Sequence, residues 1–165
     1  MGIRGFQKNQ RFGTWIAPSN CELAVTPQQA LTQLSQLSAK RRQLKSFQTL
    51  VTIQPLLKDY QWGVGGSLEY QLVTGIEMAR EDSGVDIIMA LPEIPITRFA
   101  ARVLIERLHQ IAGAHADIQV VFGQYGFSLE EYALATTSEI LVKTAQGPIL
   151  CRDPWQLSVE MDETK

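Results

Sequence analysis

Two short apolar runs, each broken by a single carboxylate, limit what this chain can fold into. Val85 to Leu91 carries Asp86 as its one charge, and Ala116 to Phe122 carries Asp117. Apolar runs of this length suit buried β-strands. A carboxylate inside such a strand is costly unless it is paired, solvated at a cleft or bound to a metal. Between the runs, Ile96 to Ile111 spells an amphipathic helix, with Phe99, Val103, Leu104, Arg107 and Leu108 in step and Gly113 ending it.

Upstream, Gln61 to Ser67 reads as a short strand entering a glycine-rich turn, followed by a helix over Leu68 to Val73 that Gly75 stops. Downstream, Ser128-Leu129-Glu130-Glu131 opens a short helix with a capping box. Glu139 to Thr144 and Pro148 to Arg152 form a closing hairpin around Ala145-Gln146-Gly147. Nearer the start, Gln10 to Ile16 alternates weakly as a strand. Thr26-Pro27-Gln28-Gln29 is a helix start, with the basic run Lys40-Arg41-Arg42 expected as a solvated helix end. A further helix from Phe47 towards Tyr60 is expected to kink or break at Pro55. The order from residue 61 indicates an α+β protein with a mixed sheet flanked by helices. Residues 1–58 are expected to form an N-terminal segment, 59–155 the main domain, and 156–165 a mobile tail.

Hydrophobic residues are 45% of the 165, enough for an ordinary core, and the formal net charge of −2 argues against a nucleic-acid polymer as partner. No apolar run approaches the ~18 residues of a membrane span. Cys21 and Cys151 lie far apart, and with no secretory signal in sight they read as reduced thiols, so a cytoplasmic location is expected.

Glycine-serine between a strand and a helix has a chemical use. Glycine lets the backbone approach a phosphate, the helix N-terminus offers unpaired N–H groups, and Ser67 adds a hydroxyl. By itself such a turn is most often only a turn. Two strand carboxylates after it change the weighting, because they can converge on one edge of a sheet. Phosphoryl and nucleotidyl transfer needs such carboxylates to hold Mg²⁺ against phosphate. His109 and His115, six residues apart, share no helix face and lack the further ligands that zinc requires.

The ordered set Gly2-Ile3-Arg4-Gly5, Gln10-Arg11-Phe12, Trp62-Gly63, Gly66-Ser67, Ser83-Gly84-Val85-Asp86-Ile87, Ala116-Asp117-Ile118-Gln119-Val120, Gly126 to Tyr132 and Asp153-Pro154-Trp155 resembles the malonate decarboxylase holo-acyl-carrier-protein synthase family. Its members are also called phosphoribosyl-dephospho-CoA transferases, of the nucleotidyltransferase superfamily. The resemblance implies a nucleotidyltransferase-like fold with an incomplete N-terminal lobe. It also implies transfer of a phosphoribosyl-dephospho-CoA group from triphosphoribosyl-dephospho-CoA to a serine of the decarboxylase's acyl-carrier subunit, with release of pyrophosphate. Gly66 and Ser67 would grip the triphosphate. Asp86 and Asp117 would be Mg²⁺ ligands and catalytic groups, and Arg4 and Arg11 phosphate contacts.

One position departs from the pattern. The family reads Ser-Asp-Leu-Asp-Leu, and here Gly84 stands where the first aspartate belongs. Alternate strand residues lie ~6.6 Å apart on one face, whereas Asp82 would be ~13 Å from Asp86 along an extended strand. Gly84 therefore implies impaired transfer. The alternative is a weak or inactive nucleotidyltransferase-fold module that binds a CoA derivative or a decarboxylase subunit. A small antibiotic-modifying or toxin-neutralising nucleotidyltransferase is compatible with the Gly-Ser turn alone.

Overall fold

The computed structural model describes residues 2–4, 11–13 and 15–157. Strands β1 (Gly2–Arg4) and β2 (Arg11–Gly13) pair antiparallel, with Ile3 opposite Phe12. Helix α1 (Pro27–Thr32) begins as its sequence indicates. The Thr26 hydroxyl accepts from the Gln29 N–H at 3.2 Å, and the Gln29 side chain accepts from the Thr26 N–H at 2.9 Å. These bonds satisfy two donors that a helix start otherwise leaves open. A 3₁₀ turn leads to α2 (Ala39–Arg42) and then α3 (Lys45–Ile53), which tightens into a 3₁₀ turn over Gln54–Leu57. Pro55 lacks the N–H that a continuing α-helix would use.

The basic run at 40–42 is not a solvated helix end throughout. Arg41 is only 13% exposed, and its guanidinium donates to the Gln71 side chain at 2.7 Å and to the Ala79 carbonyl. Partners 30 and 38 residues away drew it inward.

The main sheet has six strands in sequence order: β3 (Trp62–Val64), β4 (Val85–Ala90), β5 (Ala116–Phe122), β6 (Tyr125–Ser128), β7 (Ile140–Thr144) and β8 (Gly147–Cys151). Helix α4 (Gly66–Thr74) follows β3, α5 (Arg98–His109) links β4 to β5, and α6 (Leu129–Leu134) follows β6. The α5 crossover makes β4 and β5 parallel, while the other pairings described are antiparallel. The protein is thus a mixed α+β fold with a mostly antiparallel sheet. β6 is an element beyond the sequence expectation. Its four residues include Gly126 and show no clean alternation, so only pairing with both neighbours defines it as a strand.

Alternation along the strands divides the sheet into two faces. Val85, Ile87, Met89, Ile118, Val120, Phe127, Ile140 and Val142 are buried on one. They join Phe47, Leu50 and Ile53 of α3 and Ala101, Leu104, Ile105 and Leu108 of α5 in a single core. Phe99 is not on that inner stripe. It is 77% exposed, because the buried face of α5 runs through 101, 104, 105 and 108. Burying a large aliphatic or aromatic side chain contributes roughly 1.5–3 kcal/mol. A one-residue slip of β4 would turn Val85, Ile87 and Met89 outward together, a loss comparable with a domain's whole net stability.

The C-terminal stretch is anchored by aromatic edges. Trp155 is buried, and its ring meets Phe127 at 5.3 Å and Tyr132 at 5.6 Å, both edge to face. Each such contact adds about 0.5–1.5 kcal/mol beyond area burial. Of the expected tail, Gln156 and Leu157 are helical, and 158–165 lie outside the described residues.

Candidate functional site

The face opposite the core is open, and the two acidic side chains lie on it. Asp86 and Asp117 are direct partners in the parallel β4–β5 register. Neighbouring strands run ~4.8 Å apart, so the carboxylates stand side by side rather than on unrelated surfaces. Asp86 is exposed and Asp117 half-buried, while their strand neighbours Val85, Ile87, Ala116 and Ile118 are buried. The alternation that builds the core is therefore what projects both acids towards solvent.

The Gly-Ser turn reaches the same place. β3 runs antiparallel to β4, so its end arrives beside the start of β4. There the Gly65 N–H donates to the Asp86 carbonyl at 2.7 Å. Gly66 has φ +64°, and a Cβ on it would collide with Asp86 Oδ2. Both facts require glycine: the backbone is left-handed, and the Asp86 carboxylate occupies the space. The helix begins at Gly66 rather than at Leu68, which places Ser67 in its first turn. The Ser67 hydroxyl lies 3.5 Å from that of Ser83, in the segment leading into β4.

That segment is pinned from below. The Gln71 side-chain oxygen, in a residue 3% exposed, accepts from the Met78 N–H at 3.2 Å, the Ala79 N–H at 3.1 Å and Arg41 at 2.7 Å. Ser83 then accepts from the Arg80 N–H at 2.9 Å, which closes the turn before Gly84. Gln71 carries no signal in the sequence, and Arg41 reads there only as part of a solvated basic run. Their signal, polar residues that meet only in three dimensions, is absent from any single window. Also in the first turn of α4, burial raises the Glu69 carboxyl above its ordinary value of 4.5.

Gly84 lies just before β4, exposed, and a Cβ there would meet the His115 carbonyl oxygen at 3.1 Å. Asp82 lies in the preceding turn, outside the strand. Arg4 and Arg11 face each other in the β1–β2 backbone register; their side chains lie outside the described residues. His109 pairs with Glu130 at 3.1 Å, and its ring centroid is 6.1 Å from that of His115.

Among the described residues no cluster of three or more His, Cys, Asp or Glu side chains is arranged to hold a metal. The donor set on the open face is two adjacent carboxylates. Mg²⁺ is commonly held in this way, by one or two carboxylates with substrate phosphates and water completing its shell. The pair fits an ion that arrives with a phosphorylated ligand, not one caged by protein. A separate cavity of about 440 Å³ is lined by Leu31, Leu34, Phe47, Val51 and Arg42 among others; none of its lining residues belongs to the sheet. Among the described residues no helix is long and apolar enough to cross a membrane.

Fold and site together define an α+β protein that presents a carboxylate pair beside a glycine turn at a helix N-terminus. The family described as phosphoribosyl-dephospho-CoA transferase MdcG C-terminal domain matches residues 22–154, and the chain belongs to that family. Its relatives include proteins named phosphoribosyl-dephospho-CoA transferase. The one from Pseudomonas syringae pv. tomato is 31% identical over 96% of this chain and 73% of its own length. The one from Pseudomonas fluorescens is 32% identical over 94% and 72%, and that of Azotobacter vinelandii 28% over 94% and 73%. No solved structure matches the chain.

Proposed function

We propose that this protein is a nucleotidyltransferase-type enzyme that moves a phosphoribosyl-dephospho-CoA group from its triphosphate donor to a serine of an acyl-carrier protein. The acceptor we favour is the acyl-carrier subunit of malonate decarboxylase, and the setting is the cytoplasm. The observation that carries the reading is the in-register placement of Asp86 and Asp117 beside the Gly66–Ser67 turn. The names of the relatives support the group transferred.

In this reading the donor's triphosphate lies against the α4 N-terminus, where backbone N–H groups and the Ser67 hydroxyl face it. Asp117 accepts the proton of the carrier serine, whose oxygen forms a bond to the α-phosphorus as the bond to pyrophosphate breaks in line. Asp86 and Asp117 would hold Mg²⁺, which when bound neutralises charge on the phosphates. Arg4 and Arg11 are proposed as further phosphate contacts.

A second reading, a binding module without turnover, is favoured by one observation: Gly84 leaves two carboxylates where the family pattern supplies three. Incubation with donor, apo-carrier and Mg²⁺, followed by the intact mass of the carrier, separates the two. We expect the carrier to gain the phosphoribosyl-dephospho-CoA mass, and Asp86→Ala and Asp117→Ala to abolish that gain. Full transfer by either variant defeats the site assignment. No transfer by the parent but transfer by Gly84→Asp identifies a damaged enzyme, and no transfer by either supports the binder.

A further inference from the structure

The open face carries a cation that the reading above leaves unused. Lys143, on β7, is exposed, and its Nζ donates to Gln119 Oε1 at 2.8 Å. Gln119 is two residues beyond Asp117 on β5, so it shares the face of both acids. Lys143 reaches it across β6 because the residue directly opposite Lys143 is Gly126. A Cβ at Gly126 would lie 3.4 Å from Gln119 Nε2, in van der Waals contact with the amide. The ammonium can only donate, so the amide turns its oxygen to the lysine and leaves Nε2 buried and without a partner among the described residues.

An exposed lysine keeps its rotamer freedom, about 2 kcal/mol, unless something repays its loss. Among the described residues Lys143 makes no ion pair, although two carboxylates stand on the same face. A neutral amide holds it in position and leaves its charge uncompensated. Its place is informative as well. The Gly66–Ser67 turn flanks the carboxylates on the β3 side, and Lys143 flanks them on the β7 side.

We propose that Lys143, positioned by Gln119, is a further phosphate contact of this site, on the opposite flank of the carboxylate pair from the Gly66–Ser67 turn. The inference rests on the donor assigned above and extends it. Lysine binds phosphate as a compact point charge. A triphosphoribosyl-dephospho-CoA donor has phosphate in two places: the reacting triphosphate and the diphosphate that joins adenosine to pantetheine. β7 lies three strands from β4, roughly 14 Å at the usual spacing, which makes room for a ligand with two separated phosphate groups.

The test is calorimetric binding of two probes, each with Mg²⁺, to the full chain: inorganic tripolyphosphate and dephospho-CoA. Wild type is compared with Lys143→Ala, Lys143→Gln, which keeps part of the stem, and Lys143→Arg, which keeps the charge. We expect the uncharged variants to weaken one probe by about tenfold or more, in line with a lost charge-assisted hydrogen bond. Arginine should remain within about threefold of wild type. Selective loss of dephospho-CoA binding assigns Lys143 to the bridging diphosphate, and selective loss of tripolyphosphate binding assigns it to the reacting chain. Gln119→Leu should weaken the same probe by a smaller factor and have no further effect in a Lys143→Ala background, which a purely structural role would not produce. If wild type binds and the uncharged variants bind as well, the role of Lys143 is refuted and the carboxylate site stands. If wild type binds neither probe, both readings fall.

Discussion

Replacing Asp117 with asparagine is expected to move stability and ligand response in opposite directions. Asp86 and Asp117 are register partners on adjacent strands, whose backbones run about 5 Å apart. At that separation two like charges repel by about 0.8 kcal/mol at the dielectric of water. Asp86 is exposed and Asp117 half-buried, so solvent screens the pair and its net effect is that of a surface pair, about 0.2–1 kcal/mol. Asparagine keeps the shape and removes one charge. Asp117→Asn should therefore be more stable than the parent by some tenths of a kcal/mol up to that value in low salt. The gain should fade in high salt as the Debye length shrinks towards 3 Å. The ligand response should reverse. A ligand present at 100 times its dissociation constant stabilises a folded protein by about 2.7 kcal/mol. The parent should show a shift of this kind with Mg²⁺ and tripolyphosphate together, and the variant should lose most of it. Urea denaturation in low and high salt, with and without the two additives, measures both effects. An equal ligand shift in parent and variant would refute the reasoning, because the pair would then not be what holds the ion. A variant less stable in low salt would show that Asp117 is compensated by a partner and not repelled by Asp86.

Three other expectations follow from the same geometry. Gly66→Ala should cost at least the roughly 1–2 kcal/mol of a left-handed alanine, plus the displacement of Asp86, and should abolish transfer; stability and carrier mass measured on one preparation check it. Gln71→Leu removes the acceptor of three donors and should destabilise by about 3 kcal/mol or more, with faster amide exchange at Met78 and Ala79 than at Ile87. Glu69 gives a pH signature. Because its folded-state value is raised, its neutral form fits the fold better, so its contribution is full below about pH 4.5 and is lost as pH rises through the folded value. Glu69→Gln should flatten that part of the stability–pH curve, and an unchanged curve would exclude Glu69 as its source.

Much of the site was legible in the sequence because a strand's period of two ties core and chemistry together. Once Val85, Ile87 and Met89 are assigned inward, Asp86 must point outward, and the same logic places Asp117. The glycine turn was legible for a similar local reason, a strand end followed by a helix. What escaped was non-local. β6 has too few residues to show a pattern, and its identity comes from β5 and β7. Arg41 looked like a surface cation because its partners are far along the chain. Helical spacing alone does not say which of two adjacent rows of α5 meets the sheet, so the sequence points Phe99 inward where the structure turns it to solvent. The contact between Lys143 and Gln119 depends on the register of three strands and on a glycine between them, none of which composition or spacing encodes.

The crossover between β4 and β5 has a consequence for how this protein can change over time. Each catalytic candidate is bracketed by residues that hold the interior together, so neither acid can be shifted along its strand without turning the molecule inside out locally. Insertions and deletions should therefore collect in the segments 91–97 and 110–115 on either side of α5 and in the turns, while the two short runs keep their length. A lineage that lost the chemistry would be expected to do so by exchanging a side chain in place, and Gly84, exposed at the threshold of the first run, lies outside the buried alternation that such an exchange must respect.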